Sequence, residues 1–256
     1  MNEKALEQEL MLPFELHHIP AHYRDYYRVK RGNFFATILR FEKHWRGYLL
    51  LDSAIDLSLN HCQRLTEPKQ LLPLLLYGQA HAKIRIAFEL FFSSCLGEGR
   101  SVMRDAVEFA SIAHYMRYSS ELQQVWLNRA EDPKAFEKEF RSNKKKKLFG
   151  TSPKLHAAWN HLSEIGAHCN IDAVADRLLT DDSNDRDLRV ESTYLHTDLK
   201  TWPLSAAYLL GVATEIEDLI FSDFETRLQL VPDLVATRRK WYGYFRELKA
   251  EVKKSL

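Results

Sequence analysis

Apolar residues recur along most of the chain at intervals of three and four, the spacing that keeps them on one side of an α-helix. Strict apolar–polar alternation and hairpin dipeptides such as Asn-Gly are missing. From Phe34 the set Ile38, Phe41, Trp45, Tyr48, Leu49 and Ile55 holds helical register to about Cys62, ahead of the breaker Thr66-Glu67-Pro68, and predicts one long helix. A second is expected from Pro73, a residue tolerated in a first turn, through Ala80, Ile84, Ala87 and Phe91 until Gly97 and Gly99 stop it. A third covers 100–118 and a short one 122–127. Asp132-Pro133 and Ser152-Pro153 each set an N-capping residue before a proline at the first helical position; the first of these helices is expected to end in Lys144 to Lys147. Thr201-Trp202-Pro203 opens a helix to about Ser222, and Pro232-Asp233 opens a basic, aromatic one that runs on to the last residues.

These elements predict an all-α fold, a single helical bundle of about seven to eight helices over 34–256. An irregular or partly helical lead is expected over 1–33. The polar, turn-rich stretch 180–200 is expected as a long loop or insert.

With 256 residues, 45% of them hydrophobic, the chain can bury a sizeable core. Its 36 Lys plus Arg nearly balance 35 Asp plus Glu, so no bulk field drives the molecule onto nucleic acid or anionic lipid, and any such binding must be local. Cys62, Cys95 and Cys169 stand far apart without a C-x-x-C pair, which argues against a disulfide framework or zinc ribbon and for a reducing compartment. The acidic start lacks the pattern of a secretory signal, and the longest apolar stretch is interrupted by His81, Lys83, Arg85 and Glu89, so a cytoplasmic location without membrane association is expected.

Polar residues on the core-forming segments mark the candidate site. Arg100, Arg104, Glu108 and Ser111 share one stripe of the segment 100–118, with Val102, Ala106, Phe109, Ala113 and Met116 opposite. Arg104 can pair with Glu108 one turn on, either as a solvated ion pair or as an arginine held ready to grip a phosphate or carboxylate. Downstream, His161, Glu164 and His168 share a helical face, and Ser163 lies beside them. Metal binding there is not expected, since a ferritin-like site needs two Glu-x-x-His motifs and the chain has one, Glu15 to His18, lying between prolines. The ligand-binding set is therefore Arg100, Arg104, Glu108, Ser163 and His168, the last four also being the candidate catalytic groups.

Arg104-x-x-x-Glu108, the Trp126-Leu127 pair and Leu162-Ser163 leading to His168 resemble a family of uncharacterised bacterial helical proteins, over roughly residues 75–220. The resemblance implies a helical bundle in which Arg104, Glu108, Ser163 and His168 converge; it implies no substrate. Arg189 and His196, with six residues between them, also meet the spacing of a class of helical ribonucleases, although Val190 replaces the polar residue usual after the arginine. There, two protomers bring the pairs together, the histidine acts as acid or base on a ribose hydroxyl and the arginine stabilises phosphorane charge without metal.

In the segment after Pro232, Arg238, Arg239, Lys240 and Arg246 interleave with Trp241, Tyr242, Tyr244 and Phe245, a mixture suited to phosphate contact and base stacking or to packing with the cations outside. No Gly-rich phosphate loop or nucleophile elbow is present, and no cofactor is expected. The sequence reading is an intracellular binding protein for a small anionic ligand or protein partner, with nucleic acid and self-association as further partners and a metal-independent ribonuclease or other phosphate-directed hydrolase as the alternative.

Overall fold

The computed structural model describes residues 19–62, 68–141, 148–149, 152–167, 178–181, 189–192, 201–226, 228 and 230–254. Over these the chain is all-α apart from one short ribbon. The segment expected as one long helix from Phe34 is two, α1 (Ala21–Arg40) and α2 (Glu42–Asn60), broken at Phe41, where φ is −117° and ψ is 44°. The break seats the Phe41 ring flat on Trp202, with centroids 4.2 Å apart, a tertiary contact that overrides local register. The split raises the number of α-helical segments among the described residues to nine, against the seven to eight expected.

Helix α3 (Pro68–Phe92) starts earlier than expected and carries Pro73 inside it. As the sixth residue of the helix Pro73 lies past the four N–H groups that lack an intrahelical partner, so it forgoes one backbone hydrogen bond of the early helix. A tight turn with Ser94 at φ 67° leads directly into α4 (Leu96–Met116), so Gly97 and Gly99 open this helix instead of ending the previous one. A Cβ at Gly99 would lie 2.9 Å from the Ala87 carbonyl, and glycine is therefore what lets the two backbones approach. The pair is antiparallel: Gly99 faces Phe91, Asp105 faces Lys83, and further along Tyr77 and His114 reach the same carboxylate.

Helix α5 (Ser120–Leu127) is capped by the Ser119 side chain, and α6 (Pro133–Phe136) by Asp132, whose carboxylate accepts from Ala135 N at 3.0 Å as its Asp-Pro start predicts. A π-helical turn, Glu137–Arg141, continues α6; Lys144 to Lys147 lie outside the described residues. Helix α7 (Pro153–Leu162) likewise runs into a π-helical turn, Ser163–Ala167. Overlapping the stretch 180–200 expected as a polar loop, β1 (Leu178–Asp181) pairs antiparallel with β2 (Arg189–Ser192), Leu178 opposite Ser192 and Asp181 opposite Arg189. Helix α8 (Trp202–Phe224) supplies the central apolar rod, and α9 (Pro232–Lys254) packs on α2 and α8.

The core lies where α2, α3, α4 and α8 meet. Leu51, Ile55, Phe91, Met103, Ala106, Leu210 and Ile216 are fully buried there, and each large aliphatic or aromatic side chain so removed from water is worth about 1.5–3 kcal/mol. Among the described residues no helix is long and apolar enough to cross a membrane.

Candidate functional site

The Arg104 seam joins α4 to the end of α7. Arg104 Nε donates to Ser163 Oγ at 3.1 Å, while the Ser163 hydroxyl donates to the Trp159 carbonyl at 2.7 Å. The guanidinium lies 5.0 Å over the Trp159 ring, one of its terminal nitrogens is 3.3 Å from Asp105 Oδ1 and the other 3.6 Å from Glu108 Oε2. Trp159 Nε1 also donates to Glu108 Oε2 at 3.4 Å, and Lys83 stands 3.7 Å from Asp105.

Arg104, Glu108 and Ser163 therefore meet; His168, the fourth residue expected with them, lies outside the described residues. Their charges, however, are already balanced: two cations, Arg104 and Lys83, face two carboxylates, and all three guanidinium nitrogens have neighbours. An anion entering the shallow cleft of about 400 Å³ here would meet Asp105 and Glu108 as well as the arginine. With the Glu108 side chain 43% exposed, the pair is also screened by solvent. Arg100 turns away, donating to Ser205 Oγ at 3.4 Å, and Ser111, expected on the polar stripe, is buried and donates to the Val107 carbonyl at 2.7 Å. His168 and His196 lie outside the described residues; Arg189 falls in β2.

Helix α9 splits the cations assigned to a nucleic-acid face. Arg238 points inward, with Nε 2.7 Å from Glu217 Oε1 and a terminal nitrogen 3.1 Å from Oε2, while its guanidinium sits 3.5 Å over the Phe221 ring. Burial pushes the fully buried Glu217 carboxyl above its usual range, and the Arg238 fork opposes that push. Arg238 is thus a packing element and not a phosphate contact. Arg239, Lys240 and Arg246 remain exposed.

Two polar clusters escaped the sequence reading. Asp223, on α8, accepts from Tyr77 OH at 2.5 Å and stands 2.9 Å from His114 Nδ1 through both oxygens; with the carboxylate as acceptor, Nδ1 carries the proton. Arg117 Nε lies 3.0 Å from the same carboxylate without aiming its N–H at it, and a terminal nitrogen of Arg117 donates to the His114 carbonyl. Burial carries the Tyr77 hydroxyl well above its ordinary pKa, and the adjacent Asp223 adds to that. Between α2 and α3, Asp52 accepts from Arg85 at 2.7 and 3.0 Å and meets His81 Nε2 at 2.7 Å. Burial alone would raise the Asp52 pKa, but the hydrogen bonds from His81 and Arg85 win and hold it at about 2.

The group with room for a ligand lies elsewhere. Helices α7, α8 and α9 bound a trough of about 810 Å³. Its floor is built from the small residues Ala157, Ala158, Ala207 and Gly211 with Val212 and Phe245, and Arg246 and Lys249, one turn apart on α9, form its rim. The trough's acids are occupied: Glu215 holds Lys154 at 2.8 Å, and Asp218 accepts from Tyr242 and Arg238. Lys249 lies 4.4 Å over the Phe245 ring, and neither it nor Arg246 has a carboxylate partner among the described residues. The Tyr208 hydroxyl, on the trough wall, is shielded from solvent and has no hydrogen-bond partner among the described residues; burial raises its pKa. Of this set Arg246, Tyr242 and Phe245 stood in the basic, aromatic segment singled out by the sequence, and His161, which also lines the trough, on the polar face of α7; Lys154, Tyr208 and Glu215 did not. The available signal was the run of small residues Ala206, Ala207 and Gly211 on an otherwise bulky apolar helix.

Among the described residues no three His, Cys, Asp or Glu side chains converge as a metal would require. No family model matches the chain, and no curated protein or solved structure matches it.

Proposed function

We propose that this is an intracellular binding protein, without catalysis, for a small ligand with an anionic head and an apolar body, held in the trough between α7, α8 and α9. One observation carries the reading: Arg246 and Lys249 stand without carboxylate partners over an apolar floor. A carboxylate or phosphate would engage the rim, and its hydrocarbon part would cover Ala157, Gly211 and Phe245. The Tyr208 hydroxyl supports the same reading, since an unsatisfied buried donor costs about 1–3 kcal/mol and a ligand acceptor would recover it. The Arg104 seam then serves as the weld that fixes α7 against α4 and so sets the trough's width.

Fluorescence titration with anilinonaphthalene sulfonate, an anionic apolar probe, tests this, with dodecanoate as competitor. Saturable binding at one site is expected. Reversing the rim with Arg246→Glu and Lys249→Glu should weaken it by about tenfold or more, the loss of one or two charge-assisted contacts. Filling the floor with Ala157→Trp, at an exposed position, should abolish it. Unsaturable probe binding, or binding that neither change touches, would sink the proposal. Cleavage of single-stranded RNA by the protein in chelator would instead favour the hydrolase reading.

A further inference from the structure

Helix α1 is attached to the rest of the molecule along one side only, and Thr37 is its single buried residue. It carries five Lys or Arg against one Asp, a far stronger local imbalance than that of the whole chain. Arg24, Arg28 and Arg31, separated by four and three residues, share one side of it. Of these only Arg28 has a carboxylate partner among the described residues, Asp25 at 3.1 Å, and that pair is solvent-exposed and weak. Tyr23 and Tyr27 stand beside the arginines with about half of each side chain in water. Between this edge and α3 opens a concavity of about 850 Å³, with Arg24 and Arg31 at its mouth and Tyr27, Phe34 and Phe35 on its wall. Glu89, its one acid, is paired with Lys30 at 3.6 Å.

From this juxtaposition we infer that α1 binds single-stranded nucleic acid, with phosphates on Arg24, Arg28 and Arg31 and a base stacked on Tyr27 in the concavity. A row of guanidinium groups at one-turn intervals matches successive phosphates, and an exposed ring beside them accepts any base by its π face. An anionic membrane fits less well. The other exposed apolar residues of α1, Val29 and Leu39, stand on different sides of the helix from the tyrosines, so no apolar face is available to insert. Helix α9 fits less well too: Arg238 is committed to Glu217, and Glu247 and Glu251 are interspersed among its remaining cations.

The test is fluorescence anisotropy of a labelled oligothymidylate across roughly 50–200 mM salt, a range over which phosphate-directed binding weakens steeply. The parent protein should bind, with log K falling linearly against log salt. Replacing Arg24, Arg28 and Arg31 together by Gln should reduce that slope by about 2, because each lost single-strand phosphate contact removes about 0.7. Tyr27→Ala should weaken binding about tenfold and leave the slope unchanged, since stacking releases no counterions. Arg239→Gln with Lys240→Gln, on α9, should change neither quantity. All these positions except Arg24 are well exposed or half-exposed, and an unaltered thermal melt would show that each variant retains the fold. Absence of salt-dependent binding by the parent, loss in the α9 variant without loss in the α1 variant, or binding to phosphatidylserine vesicles without binding to the oligonucleotide would each overturn the inference.

Discussion

Arg104, within α4, and Arg117, just past its end, each stand against a carboxylate, and the two clusters differ chiefly in water. At the Arg104 seam Glu108 is 43% exposed and its partner is one turn away on the same helix. At the Asp223 knot the carboxylate is 2% exposed and its partners come from α3 and α4. An exposed pair gains little because solvent already satisfies both charges, whereas a buried carboxylate depends on every donor around it. The same residue types therefore make a surface weld in one place and a requirement for folding in the other.

Removing the acid from the knot should produce the largest effect. Asp223→Ala leaves the His114 and Tyr77 donors and the Arg117 cation without their shared acceptor and should lower stability by about 3–5 kcal/mol, a fall of roughly 6–20 °C in Tm for a chain of this size. Asp223→Asn, which keeps an acceptor for Tyr77, should lose less. A loss below about 1 kcal/mol in urea denaturation would erase the contrast with the seam.

His44 separates burial from pairing. It is buried between Phe41 and Trp202, its Nε2 has no partner among the described residues, and burial lowers its pKa from 6.5 to about 4, partly opposed by the Pro203 backbone. The unfolded chain therefore binds this proton more tightly than the folded one. The stability that the neutral ring contributes is complete above pH 6.5 and lost as pH falls toward 4, by about 3 kcal/mol. Urea midpoints measured across that window should fall in the parent and much less in His44→Leu. Parallel curves would show that the ring is solvated.

The smallest effect belongs to the seam. Glu108→Ala should cost at most about 1 kcal/mol, and a double-mutant cycle with Arg104→Ala should return a coupling of only a few tenths. A cost of several kcal/mol would place the seam in the same class as the knot.

This ordering runs opposite to legibility. Arg104 and Glu108 could be read together because helical spacing fixes their proximity, and Ser163 followed from the polar side of a second amphipathic segment. Asp223 lies 109 residues from His114 and 146 from Tyr77, and no local pattern encodes such a meeting. The chain did carry a hint, a charged residue at the end of the apolar run Leu219-Ile220-Phe221 and a histidine within Ile112-Ala113-His114, but partners had to come from packing. The helices themselves were legible from their apolar period and their Asp-Pro and Ser-Pro starts. The break at Phe41 was not, because its cause is an indole more than 150 residues away.

The tight turn between α3 and α4 also has a kinetic consequence. These two helices can zip together across three residues with little loop entropy to overcome, whereas α2 and α9 meet through Lys43 and Glu251, 208 positions apart. The hairpin is therefore the natural early event in folding and the α2–α9 contact a late one. Weakening packing around Gly99 should slow refolding, while cutting the Lys43–Glu251 tie should act, so far as it acts at all, on the rate at which the finished molecule opens.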